Sequence, residues 1–137
     1  PAPPDLPKAG DRVTLDVLPG PRADWFTPEA ITTLLSQDWQ VTAETSRVGA
    51  RLAGAMPLER CDDTELASEG TPLGAIQVPH SGQPVLFLAD HPLTGGYPVI
   101  AVVAAHHLDL AGQIPIGAKI RFNAIAAFDP FTREVSP

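Results

Sequence analysis

The sequence predicts a mainly β fold, a closed or nearly closed antiparallel barrel with one or two short helices. Three observations carry this. Sixteen prolines are spread along 137 residues, which interrupts long helices and favours short strands joined by turns. Apolar residues recur with period two, or in short continuous runs, in about seven or eight segments, mostly at hairpin spacing. Only two segments carry helical signals and neither separates a repeating strand pair, which argues against a βαβ architecture. With 44% hydrophobic residues, one domain can bury a sizeable core.

Residues 1–10 read as a Pro-rich linker, through Pro1-Ala2-Pro3-Pro4 and Pro7. The chain opens on Pro1 and not Met, so a processed product or a piece of a longer polypeptide is expected. The barrel is expected over residues 11–128 and a loose tail over 129–137. Residues 12–18 alternate Val13, Leu15, Val17 against Thr14, Asp16, Leu18, a half-buried strand that Pro19-Gly20-Pro21 stops. Thr27-Pro28-Glu29 opens a helix: Thr27 can cap it, Pro28 suits the first turn, and Glu29 faces the positive end of the dipole. Ile31, Leu34 and Leu35 give it an apolar face, and it runs to about Ser36.

Residues 39–43 alternate again, and residues 47–52 form a weaker strand interrupted by Gly49. Residues 55–70 are mixed and acidic, a surface excursion. Residues 73–78 and 84–89 are strands joined by a hairpin turn at Ser81-Gly82. Residues 97–104 are continuously apolar, which suits a strand buried on both faces. Residues 106–111 form a short helix ending near Gly112, and residues 119–128 a last strand with Ile120, Phe122 and Ala124 on one face.

Charge and composition exclude several functions. Nine basic against 16 acidic residues give a net charge of −7. No basic run exists, so neither nucleic acid nor an anionic membrane surface is an expected partner. No apolar stretch approaches the ~20 residues that span a bilayer. The single cysteine, Cys61, allows no internal disulfide and fits a reducing, cytoplasmic compartment. In Cys61-Asp62-Asp63 the adjacent negative charge opposes a thiolate, so Cys61 is a poor nucleophile. The adjacent His106 and His107 are expected to point in different directions, and no metal is assigned to them, to His80 or to His91. No phosphate-binding loop, nucleophile elbow or dinucleotide fingerprint is present.

The polar groups set among strands concentrate between Gly74 and Pro98. In Gly95-Gly96-Tyr97-Pro98, two glycines permit positive φ, and their N–H groups can converge on a small anion or carbonyl; a plain tight turn is the alternative. Asp90 ends an apolar strand and can orient an amine, act as a base, or cap a turn. Gln77 lies opposite Ile76 and Val78 in strand parity, facing either a ligand or solvent. Glu69 is a candidate acid or base, or a solvated loop carboxylate. Arg47 is a candidate carboxylate clamp, or a surface arginine. Arg22 can stack on the aromatic pair Trp25-Phe26.

Taken in order, Pro19-Gly20-Pro21-Arg22, Trp25-Phe26, Ser46-Arg47-Val48-Gly49, Arg51-Leu52, Ser68-Glu69-Gly70, Gly74-Ala75-Ile76-Gln77-Val78-Pro79, Gly82-Gln83-Pro84, Leu88-Ala89-Asp90 and Gly95-Gly96-Tyr97-Pro98 resemble one family. It is the biotin-dependent carboxyltransferase-like family, which includes allophanate hydrolase subunit 2, the C component of 5-oxoprolinase, and KipA. The resemblance covers about residues 11–123 and matches the C-terminal half of family members about twice as long. It implies a cyclophilin-like β-barrel. It also implies partners: an allophanate hydrolase subunit 1 or KipI-like protein, the N-terminal half of the family's own subunit, and a lactam-utilisation-type subunit.

The implied function is part of a subunit of an ATP-dependent 5-oxoprolinase-type complex converting 5-oxoproline to glutamate. Two alternatives are the carboxyltransferase component of a urea carboxylase, and a non-catalytic KipA-like protein that antagonises a histidine-kinase inhibitor. Peptidyl-prolyl isomerisation is discounted, because the Phe-His-Arg pattern of cyclophilins is missing. In the leading reading Gln77, Thr94, Gly95, Gly96, Tyr97 and Arg47 bind substrate, and Asp90 and Glu69 are the catalytic candidates. No cofactor is assigned to this chain: ATP sits on a partner, and biotin enters only in the carboxyltransferase alternative. One departure bears on substrate. After Asp90 the family continues Arg-Gln-Thr-Thr, whereas here His91-Pro92-Leu93-Thr94 follows, replacing polar side chains beside the expected pocket. A second, Ile116-Gly117-Ala118 for the usual Pro-Gly-Asp, is a turn variant.

Overall fold

Strand β1 (Arg12–Pro19) sets the pattern for the barrel: Val13, Leu15 and Val17 are buried and their neighbours face outward. The chain then passes a 3-10 turn at Ala23–Trp25 and enters α1 (Pro28–Ser36). As its sequence requires, the Thr27 hydroxyl accepts the Ala30 N–H at 3.0 Å, satisfying one orphan donor of the first turn. Ala30, Ile31 and Leu34 pack into the barrel core, and the buried Trp39 indole donates to the Leu34 carbonyl at 3.1 Å. The strands that follow are β2 (Trp39–Val41), β3 (Gly49–Ala53), β4 (Glu69–Gly70), β5 (Ala75–Gln77), β6 (Val85–Phe87), β7 (Thr94–Gly95) and β8 (Val99–Val103). A 3-10 turn at Ala105–His107, the single-turn α2 (Leu108–Ala111) and β9 (Lys119–Ala124) complete the order.

This computed structural model describes residues 6–128; half of the expected linker and all of the expected tail lie outside them. Within the remainder of the linker, the Gly10 N–H donates to the Gly117 carbonyl at 3.0 Å, tying it to the turn before β9.

Seven strands close a barrel in the order β1-β8-β5-β6-β3-β2-β9, and β4 pairs with β7 in a separate two-stranded ribbon. Every barrel pairing is antiparallel except the seam, where β1 and β9 run parallel with Val13 opposite Ile120 and Leu15 opposite Phe122. The expected antiparallel closure thus has one parallel seam. An odd number of strands forces it, since directions cannot alternate all the way round a seven-membered ring. The strands expected over residues 39–43 and 119–128 end earlier. The Thr45 N–H turns back to the Thr42 carbonyl after β2, and β9 ends at Ala124 opposite Val17, while β1 runs on to Pro19 paired with β8.

Two apolar layers follow from the register. Ala50, Leu86, Ile76 and Ala101 form a continuous inward row across β3, β6, β5 and β8. One step along, Ala75, Val85, Phe87 and Val99 form a smaller cluster on the outer face of the wall. An outward apolar patch of this size needs a cover. The β4–β7 ribbon stands beside it across a cavity, held by the Thr71 hydroxyl, which donates to the Pro92 carbonyl at 2.7 Å, and by the Thr71 N–H on the Leu93 carbonyl at 2.9 Å.

Candidate functional site

The outer face carries one polar row. Arg51 on β3 pairs with Val85 on β6, Val85 with Gln77 on β5, and Gln77 with Val99 on β8. Inward parity of Leu52 and Ile76 therefore sends both Arg51 and Gln77 outward on the same face. At Gln77 the ladder slips: Ile76 opposes Ala101 but Gln77 opposes Val99, leaving an extra residue on β8. Such a bulge re-aims side chains, and it sits where the polar group is needed.

Above this row lies a cavity of about 510 Å³. Gln77, Arg51, Ser46, Phe87 and Tyr97 contribute walls, and Gly49, Gly95 and Gly96 contribute bare backbone. The glycines keep it open: a Cβ on Gly49 would lie 2.7 Å from Val85 Cγ1, and one on Gly95 would lie 2.5 Å from the Gln77 amide nitrogen. The size is that of a small-molecule site.

Gln77 is 7% exposed, and among the described residues its amide has no hydrogen-bond partner. The amide opens onto the cavity and so stays hydrated there, and a group with both donor and acceptor capacity at a cavity wall can pair with a ligand in place of water. Arg51 is the one charged residue in the lining. The cavity can thus offer a fork of N–H donors and a carboxamide edge to one small molecule.

The structure brings Gln77, Gly95, Gly96 and Tyr97 together, as the sequence suggested, but with a different backbone. Neither Gly95 nor Gly96 has positive φ, so the expected left-handed glycine turn does not form; Gly95 belongs to β7 and pairs with Glu69. Glycine at position 95 leaves room for the approaching Gln77 amide; it is not demanded by backbone conformation.

Four other candidates lie outside the cavity wall. Arg47 and Asp90 pair with each other at 3.1 Å, with side chains 86% and 50% exposed, and the Asp90 N–H donates to the Arg47 carbonyl. They brace two loops. Glu69 accepts from Arg22, whose Nε lies 3.0 Å away, and Arg22 stacks 5.0 Å over Trp25 as its sequence context suggested. Thr94 is exposed on β7. Tyr97 divides this cavity from a second of about 620 Å³, which Arg60, Asp63, Glu65 and His80 line. Its ring meets His80 edge-on at 5.4 Å.

Sequence reasoning passed over Arg51, which stood only as part of the Arg51-Leu52 pair. The signal was present: Ala50 and Leu52 alternate with it, which marks Arg51 as the outward residue of β3.

The expectation that His106 and His107 diverge is overturned. The 3-10 turn folds both rings onto β1: His106 Nε2 lies 2.8 Å from Asp16 Oδ2, and His107 Nδ1 accepts the Asp16 N–H at 2.8 Å. Ligand atoms of Asp16, His106 and His107 lie within 4.8 Å of one another, the one such metal-competent group among the described residues. The His107 Nδ1 lone pair is already committed to the backbone, which leaves two ligands for any ion. The Asn123 amide donates to Asp16 at 2.9 Å. That bond, then the His106 bond, holds the Asp16 carboxyl below the ordinary carboxylate range.

No helix among the described residues is long and apolar enough to cross a membrane.

Comparison with known proteins places these features. Residues 1–124 match the family model described as carboxyltransferase domain, subdomain A and B. The chain is 38% identical over 113 residues to the C component of 5-oxoprolinase from Escherichia coli (strain K12), covering 82% of this chain and 36% of that protein. It is 34% identical to urea amidolyase of Lachancea kluyveri, covering 88% of this chain and 7% of that one. The Kluyveromyces lactis urea carboxylase structure superimposes with a TM-score of 0.80 at 28% identity, over 90% of this chain and 12% of that one. The chain therefore spans about a third of the bacterial relative, less than the half that the resemblance implied.

Proposed function

The chain belongs to the carboxyltransferase domain, subdomain A and B family, and from that premise we propose that it is part of a subunit of an ATP-dependent 5-oxoprolinase-type complex. In this reading water adds across the C–N bond of a small lactam, 5-oxoproline, with ATP hydrolysis driving the opening. One observation carries it: Gln77 is largely buried, and its amide, without a partner among the described residues, opens onto the cavity. A carboxamide presents a donor and an acceptor side by side. A lactam is locked in the cis form and presents the complementary pair on one edge, so the two can exchange parallel hydrogen bonds. Gly95 and Gly96 let the substrate approach the backbone, and Tyr97 and Phe87 give the ring an apolar wall.

No carboxylate or imidazole lines this cavity. The chain's role is thus to hold and orient the lactam, while ATP and the reacting groups come from partners. Those partners are a protein of the allophanate hydrolase subunit 1 or KipI-like type, a lactam-utilisation-type subunit, and the remainder of the chain's own subunit. Their supply is consistent with the name of the bacterial relative, one component of 5-oxoprolinase.

A second reading, carboxyl transfer from carboxybiotin to urea, draws on the likeness to urea carboxylase. Urea also offers an amide edge to Gln77, but it carries no charge for Arg51. The test is ATP-dependent release of glutamate from 5-oxoproline by the co-expressed complex, beside biotin-dependent carboxylation of urea. The expected result is glutamate release that falls at least tenfold in Gln77→Leu. An unchanged rate in a folded Gln77→Leu complex removes the site, and urea carboxylation without glutamate release removes the function.

A further inference from the structure

We propose that Arg51 selects the ligand of this cavity for a carboxylate placed next to its amide. The inference rests on the lactam-binding reading and deepens it by naming the residue that decides between an anionic and a neutral amide.

Three observations converge. The first is register. Arg51 and Gln77 flank Val85 from opposite strands, so their Cα atoms stand two strand spacings apart, roughly 10 Å. Both side chains leave the same face, and the heads of these long residues bracket the volume above Val85. Gly49, two residues from Arg51 on β3 and without a Cβ, leaves the space beside Val85 open.

The second is commitment. Every other arginine among the described residues is engaged. Arg12 and Arg121 bind Asp38, Arg22 binds Glu69, Arg47 binds Asp90, and Arg60 donates to the Val78 carbonyl. The Arg51 guanidinium alone has no acceptor among those residues, so its planar fork is free for an incoming carboxylate.

The third is charge. The protein carries a formal net charge of −7, yet the single charged residue lining this cavity is cationic. Asp90, the carboxylate expected at the site from sequence, is held outside it by Arg47. A neutral carbonyl can accept a single hydrogen bond from the guanidinium, whereas a carboxylate on the carbon beside the lactam nitrogen gains two parallel charge-assisted ones.

The test titrates the full 137-residue chain with three probes: 5-oxoproline, pyrrolidin-2-one (the lactam without a carboxylate) and cyclopentanecarboxylate (the carboxylate without a lactam). Wild type is expected to favour 5-oxoproline over pyrrolidin-2-one by about tenfold or more at low salt, with the preference shrinking as salt rises, because Arg51 is exposed. In Arg51→Gln the ratio collapses towards one and loses its salt dependence. In Arg51→Lys, which keeps the charge but not the fork, the ratio is intermediate. Unfolding midpoints and amide spectra verify that each variant folds.

The assignment is wrong if wild type binds the two lactams equally, if Arg51→Gln keeps the preference, or if no carboxylate probe binds. A distinct pattern tests the underlying reading. If cyclopentanecarboxylate binds as well as 5-oxoproline and both need Arg51, the carboxylate assignment stands and the lactam reading falls.

Discussion

Gly95→Ala separates packing from recognition at the cavity. The added carbon would lie 2.5 Å from the Gln77 amide nitrogen and 3.4 Å from Thr71 Cγ2. The first contact is roughly 1 Å inside ordinary van der Waals distance, so something must move. What it meets is the end of a flexible side chain, and Gly95 does not have positive φ. Rotating Gln77 away costs about 0.5–1.5 kcal/mol in rotamer strain. Removing a glycine from the unfolded chain returns about 0.4–1 kcal/mol. Net stability should therefore change by less than about 1 kcal/mol. Recognition should suffer more: losing two neutral hydrogen bonds to the ligand costs about 1–3 kcal/mol, or roughly 5- to 150-fold in affinity. Urea denaturation measures the first quantity and titration with 5-oxoproline the second. Gly20→Ala serves as the contrast, because there the new carbon would meet main-chain atoms, Val99 O at 2.4 Å and Ala101 N at 2.8 Å. It should destabilise by several times more. If Gly95→Ala loses as much stability as Gly20→Ala, the ribbon and not Gln77 absorbs the clash. If affinity is unchanged, the Gln77 amide is not a ligand contact. Either result refutes the reasoning.

Two further predictions concern the scaffold. Among the described residues, the Thr42 hydroxyl is the one side-chain polar atom that is fully buried without a hydrogen-bond partner; Thr42→Val removes it at nearly constant shape and should stabilise the fold by about 1 kcal/mol in urea denaturation. Acid should act through Asp38, whose carboxyl accepts Arg12 at 2.9 Å and Arg121 at 3.1 Å. The Arg12 bond chiefly, then the Arg121 bond, holds it below the ordinary carboxylate range. A depressed carboxylate contributes its full stabilisation above the unfolded-state pKa and loses it as pH falls through the lower folded value. Wild type should therefore lose stability more steeply below about pH 4 than Asp38→Asn, and the gap between them at pH 7 should close in strong acid; parallel unfolding curves across that range would exclude the ion pair as a contributor.

Much of the fold was legible because it depends on local signals. Thr27-Pro28-Glu29 announced α1, and the period-two run before Pro19 announced β1. Both rest on contacts within a few residues. Strand ends were less legible, since β9 ends opposite Val17, where its pairing with β1 ends, and no local signal in residues 119–128 reports that. The site divided in the same way. Gln77 and the glycines after Thr94 stand out as polar or bare positions among apolar strands, so they could be marked as candidates. Arg47 and Glu69 stood out equally, and nothing local reveals that Asp90 and Arg22 already occupy them.

The sequence alone determined a mainly β domain, its helix cap, the membership of its family and the stretch where the cavity lies. Each is written in residue order or composition. Tertiary structure decided which polar groups share that cavity. Arg51 and Gln77 meet because β3 and β5 both pair with β6 in one register, and a shift of one residue on either strand would turn its side chain to the opposite face. Long-range hydrogen-bond registers of this kind have no local signature. The same rule explains why His106 and His107, adjacent in the chain, converge on Asp16 of a strand far away in sequence.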